Sequence, residues 1–238
     1  MLEVKDIAFA YSSRPVLGGV TFSVSPGEVV AVTGANGAGK TTLLKVLALL
    51  SAPVGGTVKF NGVDVFRRPI RYLRQVGYLP ESLALYEDMT VKDYLKYRAA
   101  LKGELSKRIR RRIGEAIQLT GLKNESRTAI RRLSPGVKKR VALADAILLR
   151  PRLLLLDDFL SGTDAELRDS AGELLRSAAA FSAVVVTGHE LEEFAGWATR
   201  FLVLSGGVIA ADIPAEGLSL KELKEKIAAS RSGRRGGR

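Results

Sequence analysis

The sequence predicts an α/β fold, with a mainly parallel sheet at its centre, an antiparallel β subdomain beside it and an inserted α-helical subdomain. Three observations carry that expectation. Leu153-Leu154-Leu155-Leu156 and Ala183-Val184-Val185-Val186 are continuous apolar runs, the pattern of strands in a parallel sheet covered on both faces. Residues 2–24 instead alternate apolar and polar with turn residues between, as antiparallel strands with one wet face do. From Thr90 to residue 149 the apolar spacing changes to the period of helices.

Taken in order, residues 2–5, 7–11 and 20–24 read as the antiparallel strands, and Ser25-Pro26-Gly27 turns the chain into a buried strand at 28–32. A glycine-rich loop follows, then a helix over 42–50, a strand over 55–62 ending in the Asn61-Gly62 turn, and a short strand at 76–80 that Pro80 stops. Val91, Tyr94, Leu95 and Arg98 share one helical face, Ile109, Ile113, Ala116 and Ile117 a second, and a third helix spans 137–149, which makes about 85–148 a helical insertion. Residues 201–210 form a hairpin through Ser205-Gly206-Gly207. One domain over 1–220 is expected, with a basic tail at 221–238 that begins as a short helix and is disordered after about Ser230.

The chain has no run near the roughly 18 apolar residues that cross a bilayer, and no basic-then-apolar leader at its start. With no cysteine it has no disulfide, thiolate metal site or cysteine nucleophile, which fits a reducing compartment. The net charge of +12 is concentrated: residues 81–150 hold 17 Lys/Arg against 8 Asp/Glu, and 221–238 hold seven against two. Such a surplus suits nucleic acid, anionic headgroups or an acidic partner, and equally a solvated surface.

The most specific motif is Thr33-Gly34-Ala35-Asn36-Gly37-Ala38-Gly39-Lys40-Thr41-Thr42, with the Gly-x-x-x-x-Gly-Lys-Thr spacing of a phosphate-binding loop. Its glycines let successive N–H groups face one concave side, Lys40 can lie along the β and γ phosphates, and the Thr41 hydroxyl can ligate Mg²⁺. A strand before it and a helix after it place the phosphates at a helix N-terminus. The alternative is a glycine-rich turn with no ligand. Asp157, after four leucines, sits at the carboxyl edge of a parallel strand, where it can hold Mg²⁺ or merely cap the next turn.

In order along the chain, this loop, Leu133-Ser134-Pro135-Gly136-Val137, the run from Leu153 to Asp158, Ser161-Gly162-Thr163-Asp164 and Thr187-Gly188-His189 resemble the motifs of the ATP-binding subunit of ABC transporters, a P-loop NTPase core. The resemblance runs from about residue 2 to 212. Gly77-Tyr78-Leu79-Pro80-Glu81, with Leu85-Tyr86 and Met89-Thr90-Val91 after it, resembles the exporter and multidrug members in particular. It implies an ATPase that uses ATP and Mg²⁺, lies in the cytoplasm on the inner face of the cell membrane, and powers a separately encoded membrane permease for export, with no nucleic acid involved. It implies a head-to-tail dimer, with itself or with a second ABC subunit, each ATP lying between one protomer's phosphate loop and the other's signature motif.

On that basis Asn36, Gly37, Gly39, Lys40, Thr41 and Thr42 bind nucleotide, Tyr11 stacks on adenine, and the Ser134 hydroxyl and Gly136 N–H face the partner's γ phosphate. Thr41, Asp157 and Glu81 hold the metal, and Asp158, His189 and Glu81 form the catalytic set. The plain alternatives are that Tyr11 packs at a strand end and that His189, the single histidine, is a hydrogen-bonded structural residue. The chain departs from the family at Asp158, where glutamate is usual, at Pro135, usually glycine, at Val137, usually polar, and at Glu81, often glutamine. A soluble ABC ATPase acting on nucleic acid or ribosomes, and an ATP-dependent dimerisation module without turnover, are the rival readings.

Overall fold

The computed structural model describes residues 1–106, 108–163, 165–189 and 191–232. The strands are β1 (Leu2–Tyr11), β2 (Arg14–Val24), β3 (Val29–Thr33), β4 (Gly55–Phe60), β5 (Val63–Asp64), β6 (Val76–Leu79), β7 (Leu153–Leu156), β8 (Ala183–Thr187), β9 (Arg200–Ser205) and β10 (Val208–Pro214). The helices are α1 (Lys40–Leu47), α2 (Pro69–Leu73), α3 (Val91–Leu101), α4 (Ile109–Leu119), α5 (Pro135–Ile147), α6 (Ala165–Ala179) and α7 (Leu220–Ser232). One sheet has the order β2-β1-β4-β5 and is antiparallel; the other runs β10-β9-β3-β8-β7-β6, parallel from β9 to β6 with β10 antiparallel at its edge.

The continuous apolar runs are explained by what covers them. Because side chains alternate across a strand, Leu153 and Leu155 of β7 enter one apolar cluster with α1 and the antiparallel sheet, while Leu154 and Leu156 enter a second with α5, α6 and α7. β3 and β8 divide the same way: Val30, Val32 and Val185 lie on the α1 side, and Val29, Ala31, Val184 and Val186 on the other. The four leucines of β7 are fully buried. Burial of each is worth about 1.5–3 kcal/mol relative to exposure. A third cluster joins Leu95 and Ala99 of α3 and Ile113 and Ile117 of α4 to Val141 and Ala144 of α5.

Element ends differ from expectation for local reasons. α5 starts at Pro135 rather than at 137, because the Ser134 hydroxyl accepts the Val137 N–H at 3.3 Å as an N-cap, and proline suits the first helical position, where its missing N–H is not needed. α1 starts at Lys40 rather than 42, directly off the phosphate loop. β1 runs through Asp6, which takes φ 51° at a register shift, joining two strands expected to be separate. β2 begins at Arg14, well before residue 20. The amphipathic α6 was not anticipated at all. The tail expected to lose order after about Ser230 is helical through Ser232, and its last six residues lie outside the described residues.

Part of the central segment's basic charge is paired with the segment's own acids, which leaves the surplus itself in place. Arg98 of α3 and Lys102, which caps that helix, both hold Asp145 of α5, which is only 6% exposed, at 2.9 and 2.8 Å. Arg112 meets Glu104, Arg150 meets Glu115, Arg131 meets Asp88 and Lys138 meets Glu87.

Candidate nucleotide site

The site begins with strand register. Val32 of β3 pairs with Thr187 of β8, Val186 with Leu156 of β7, and Leu156 with Leu79 of β6. The four parallel strands therefore stop level, and whatever follows each one gathers at a single carboxyl edge. That edge receives the loop after β3, Asp157 after β7, Thr187 at the end of β8, and Glu81 two residues past β6.

In the loop, Asn36 and Gly37 are exposed at the tip and Lys40 is buried. Gly39 caps α1 at φ 104°, where a Cβ would press on Leu17 and Val16, so glycine is required both for the backbone and for space. The Lys40 ammonium donates to the Gly34 and Ala35 carbonyls at 2.8 and 3.1 Å, spanning the loop from inside. Thr42 is buried, and its hydroxyl lies 3.4 Å from the Tyr11 hydroxyl. Tyr11 is 48% exposed and meets Phe9 edge-on at 4.8 Å, so one ring face is available beside the loop.

Asp157 is 1% exposed. Its Oδ1 accepts the Thr187 hydroxyl at 2.7 Å and the Thr41 hydroxyl at 3.2 Å, while its Oδ2 is buried with no hydrogen-bond partner. Burial pushes its carboxyl up from the ordinary range; the two threonine hydroxyls oppose that shift, and the charges of Glu81 and Asp158 add to it. A buried carboxylate oxygen left unpaired beside a phosphate loop fits a divalent cation, since oxygen donors of this kind are what Mg²⁺ takes. The residues present thus suit a magnesium nucleotide. The nearby Tyr78 phenol is pushed up to about 12, by burial first and then by Asp157 and Glu81.

Asp158 takes φ 46°, a conformation that side-chain-bearing residues seldom adopt. Its N–H donates to the Thr187 hydroxyl at 3.0 Å, and its carboxylate lies 3.9 Å from His189 Nε2. His189 is exposed and lines a cleft of about 290 Å³ with Thr33, Leu191, Glu192 and Lys224. Thr33 brings a buried hydroxyl with no hydrogen-bond partner to the same edge.

The structure therefore gathers Lys40, Thr41, Thr42, Tyr11, Asp157, Asp158, Glu81 and His189. It does not bring Ser134 or Gly136 to them: both open α5, which packs on β6, α3 and α4, and among the described residues no hydrogen bond joins either to the phosphate loop. Ser134 is exposed and Gly136 buried. Asp164, which closes the Ser161-Gly162-Thr163-Asp164 motif, lies outside the described residues. Thr187 and Lys139 went unassigned in the sequence. Thr187 carried the same signal as Asp157, a polar residue ending an apolar strand; Lys139 carried none, since a helical lysine reads as solvated.

A family model described as ABC transporter matches residues 17–161. The chain belongs to the ABC transporter family. It is 32% identical over 210 residues to the uncharacterized ABC transporter ATP-binding protein YxlF of Bacillus subtilis (strain 168), covering 88% of this chain and 70% of that one. It is 32% identical over 212 residues to the spermidine/putrescine import ATP-binding protein PotA of Spiroplasma citri, covering 88% of this chain and 60% of that one. A solved structure described as an ATP binding subunit of an ABC transporter superposes with a TM-score of 0.85 at 30% identity, covering 96% of this chain and 99% of that one.

The ABC domain of this chain is an ATPase domain with a P-loop NTPase fold, as the sequence led one to expect. The export branch is a different matter. PotA is by name an import protein, as are the similar Fe(3+) ions protein FbpC of Vibrio cholerae and sulfate/thiosulfate protein CysA of Bradyrhizobium diazoefficiens, so these relatives do not support the exporter resemblance of the run from Gly77 to Glu81.

Proposed function

We propose that this ABC protein is the subunit that binds and hydrolyses ATP to drive a separately encoded membrane permease. The observation that carries the reading is the orphaned Asp157 Oδ2 beside the Thr41 hydroxyl, at the mouth of the loop that Lys40 spans. Thr41 and Asp157 would hold Mg²⁺, with Glu81 close enough to raise the Asp157 carboxyl. Bound magnesium neutralises charge on the phosphates. The loop N–H groups and Lys40 bind and orient the polyphosphate, Thr42 closes the base of the cradle, and Tyr11 stacks on the adenine. Asp158 orients the attacking water and takes its proton, while His189, facing Asp158, donates toward the γ phosphate.

Ser134 and Gly136 stand apart from this protomer's loop, which supports their service to a second protomer's nucleotide in a head-to-tail dimer. Among the described residues no helix is long and apolar enough to cross a membrane, which supports a peripheral subunit on the cytoplasmic face of a permease. Tyr86 and Tyr97 meet edge-on at 5.2 Å and remain 47% and 37% exposed, close in sequence to Glu81 and on the neighbouring α3, a suitable place for permease helices to read nucleotide state. The named relatives support import as the direction; the cargo is the permease's to select.

Titration with a fluorescent ATP analogue, with and without Mg²⁺, tests the site: saturable, magnesium-enhanced binding that Lys40→Ala strongly weakens is expected, and binding indifferent to both overturns it. Capture of one polytopic protein from membranes that stimulates the ATPase tests the partner.

A second reading is favoured by Asp158 and Pro135 together. The shorter acid and the N–H missing at the signature suit one weak site paired with a strong one on a different ABC subunit. It predicts slow turnover for the isolated protein and fast turnover in the mixed pair.

A further inference from the structure

Asp158 is held in its unusual backbone conformation from two sides. Its N–H is taken by Thr187, and its carbonyl accepts the Lys139 ammonium at 2.5 Å together with the Ser161 N–H at 3.3 Å. The same ammonium also donates to the Ser161 carbonyl at 2.6 Å. Lys139 is only 7% exposed, an uncommon place for a lysine. Burial disfavours its charge, while Asp158, Glu81, Asp157 and Glu193 favour it.

A left-handed non-glycine residue costs of order 1–3 kcal/mol and persists only where its surroundings over-determine it. Two short charge-assisted bonds from one ammonium do so here, closing the turn from Asp158 to Ser161 and thereby aiming the Asp158 carboxylate. Lys139 comes from α5, five residues after Ser134.

We propose that Lys139 is the positioning residue of hydrolysis: it locks the Asp158 turn so that the carboxylate faces His189 and the water site, and it ties that turn to the signature end of α5. The inference rests on the reading of Asp158 as the water-orienting acid. Lys139 touches no nucleotide in this arrangement and acts through the backbone of Asp158. Its loss therefore lowers turnover and leaves nucleotide affinity alone, because Lys40, Thr41 and Asp157 stay in place.

The test is a double-mutant cycle on the full chain, with ATP turnover read under single-turnover conditions and affinity read with a fluorescent ATP analogue. Lys139→Met keeps the stem and removes the donors. It is expected to lower the rate about 10–100-fold, the cost of an acid misplaced by about 1 Å, with affinity within about twofold of wild type. In an Asp158→Asn background it should lower the residual rate no further, since a residue acting through Asp158 has nothing left to act on. Lys139→Met that leaves the rate unchanged while Asp158→Asn lowers it to a residual level overturns the proposal, as does a Lys139→Met loss of equal size in both backgrounds. Asp158→Asn that leaves the rate unchanged instead overturns the catalytic reading of Asp158 itself. Analogue binding doubles as the check of folding, and Lys139→Gln, whose shorter stem and neutral amide cannot supply both charge-assisted bonds, carries the same cycle where methionine unfolds the chain.

Discussion

The Thr187 hydroxyl joins the two consecutive acids of the site: it donates to Asp157 Oδ1 at 2.7 Å and accepts the Asp158 N–H at 3.0 Å. One buried side chain at the end of β8 thus orients both the candidate metal ligand and the candidate acid at the end of β7. Thr187→Val keeps the shape and deletes both bonds, leaving the Asp158 N–H unpaired. Denaturant unfolding should show a loss of about 1–3 kcal/mol, and the Mg²⁺ dependence of ATP binding should weaken. Unchanged magnesium dependence would count against a shared role.

Lys40 bridges two loop carbonyls with a buried ammonium that bound phosphates would share. Lys40→Met removes a charge-assisted interaction of about 1.5–3 kcal/mol, so ATP affinity should fall roughly 10- to 100-fold. Calorimetric titration reads this directly.

The raised Asp157 carboxyl makes stability without nucleotide depend on pH in a definite sense. Between the ordinary carboxylate pKa and the raised one, the native state binds more protons than the unfolded state, so stability falls as pH rises through that window. Asp157→Asn should remove this slope without nucleotide and also remove the stabilisation given by Mg²⁺ and ATP. Thermal unfolding between pH 4 and 8, with and without magnesium and with a non-hydrolysed analogue, checks both; a slope that survives in Asp157→Asn assigns it to another group.

Asp158 has one methylene fewer than the glutamate usual in the family. If reach limits the water step, Asp158→Glu should raise turnover up to about tenfold, within the range that a 1 Å adjustment commands, while Asp158→Asn lowers it to a residual rate. Phosphate release from the three proteins decides it, and equal rates for the aspartate and glutamate forms would refute the reach argument.

Tyr11 offers an exposed ring beside Thr42. Base–aromatic stacking is worth about 1–3 kcal/mol, so Tyr11→Ala should weaken ATP binding about tenfold or more and Tyr11→Phe should leave it near wild type. Loss of stability in Tyr11→Ala without loss of affinity would assign the ring to packing.

The parallel core, the glycine-rich loop and the strand-end acid are legible in the order of residues alone. Each is a local pattern: the runs at residues 153–156 and 183–186 are apolar at every position because both faces of β7 and β8 are covered, and the loop's glycine spacing follows from backbone geometry. What Lys139 and Thr187 touch, how far α5 extends and which acids the basic residues meet emerge only once the chain is folded. Their contacts are with partners distant in the chain, Asp158 for Lys139, Asp157 for Thr187 and Asp145 for Arg98 and Lys102, and a buried charge shows itself only when the group that pairs with it has been brought alongside.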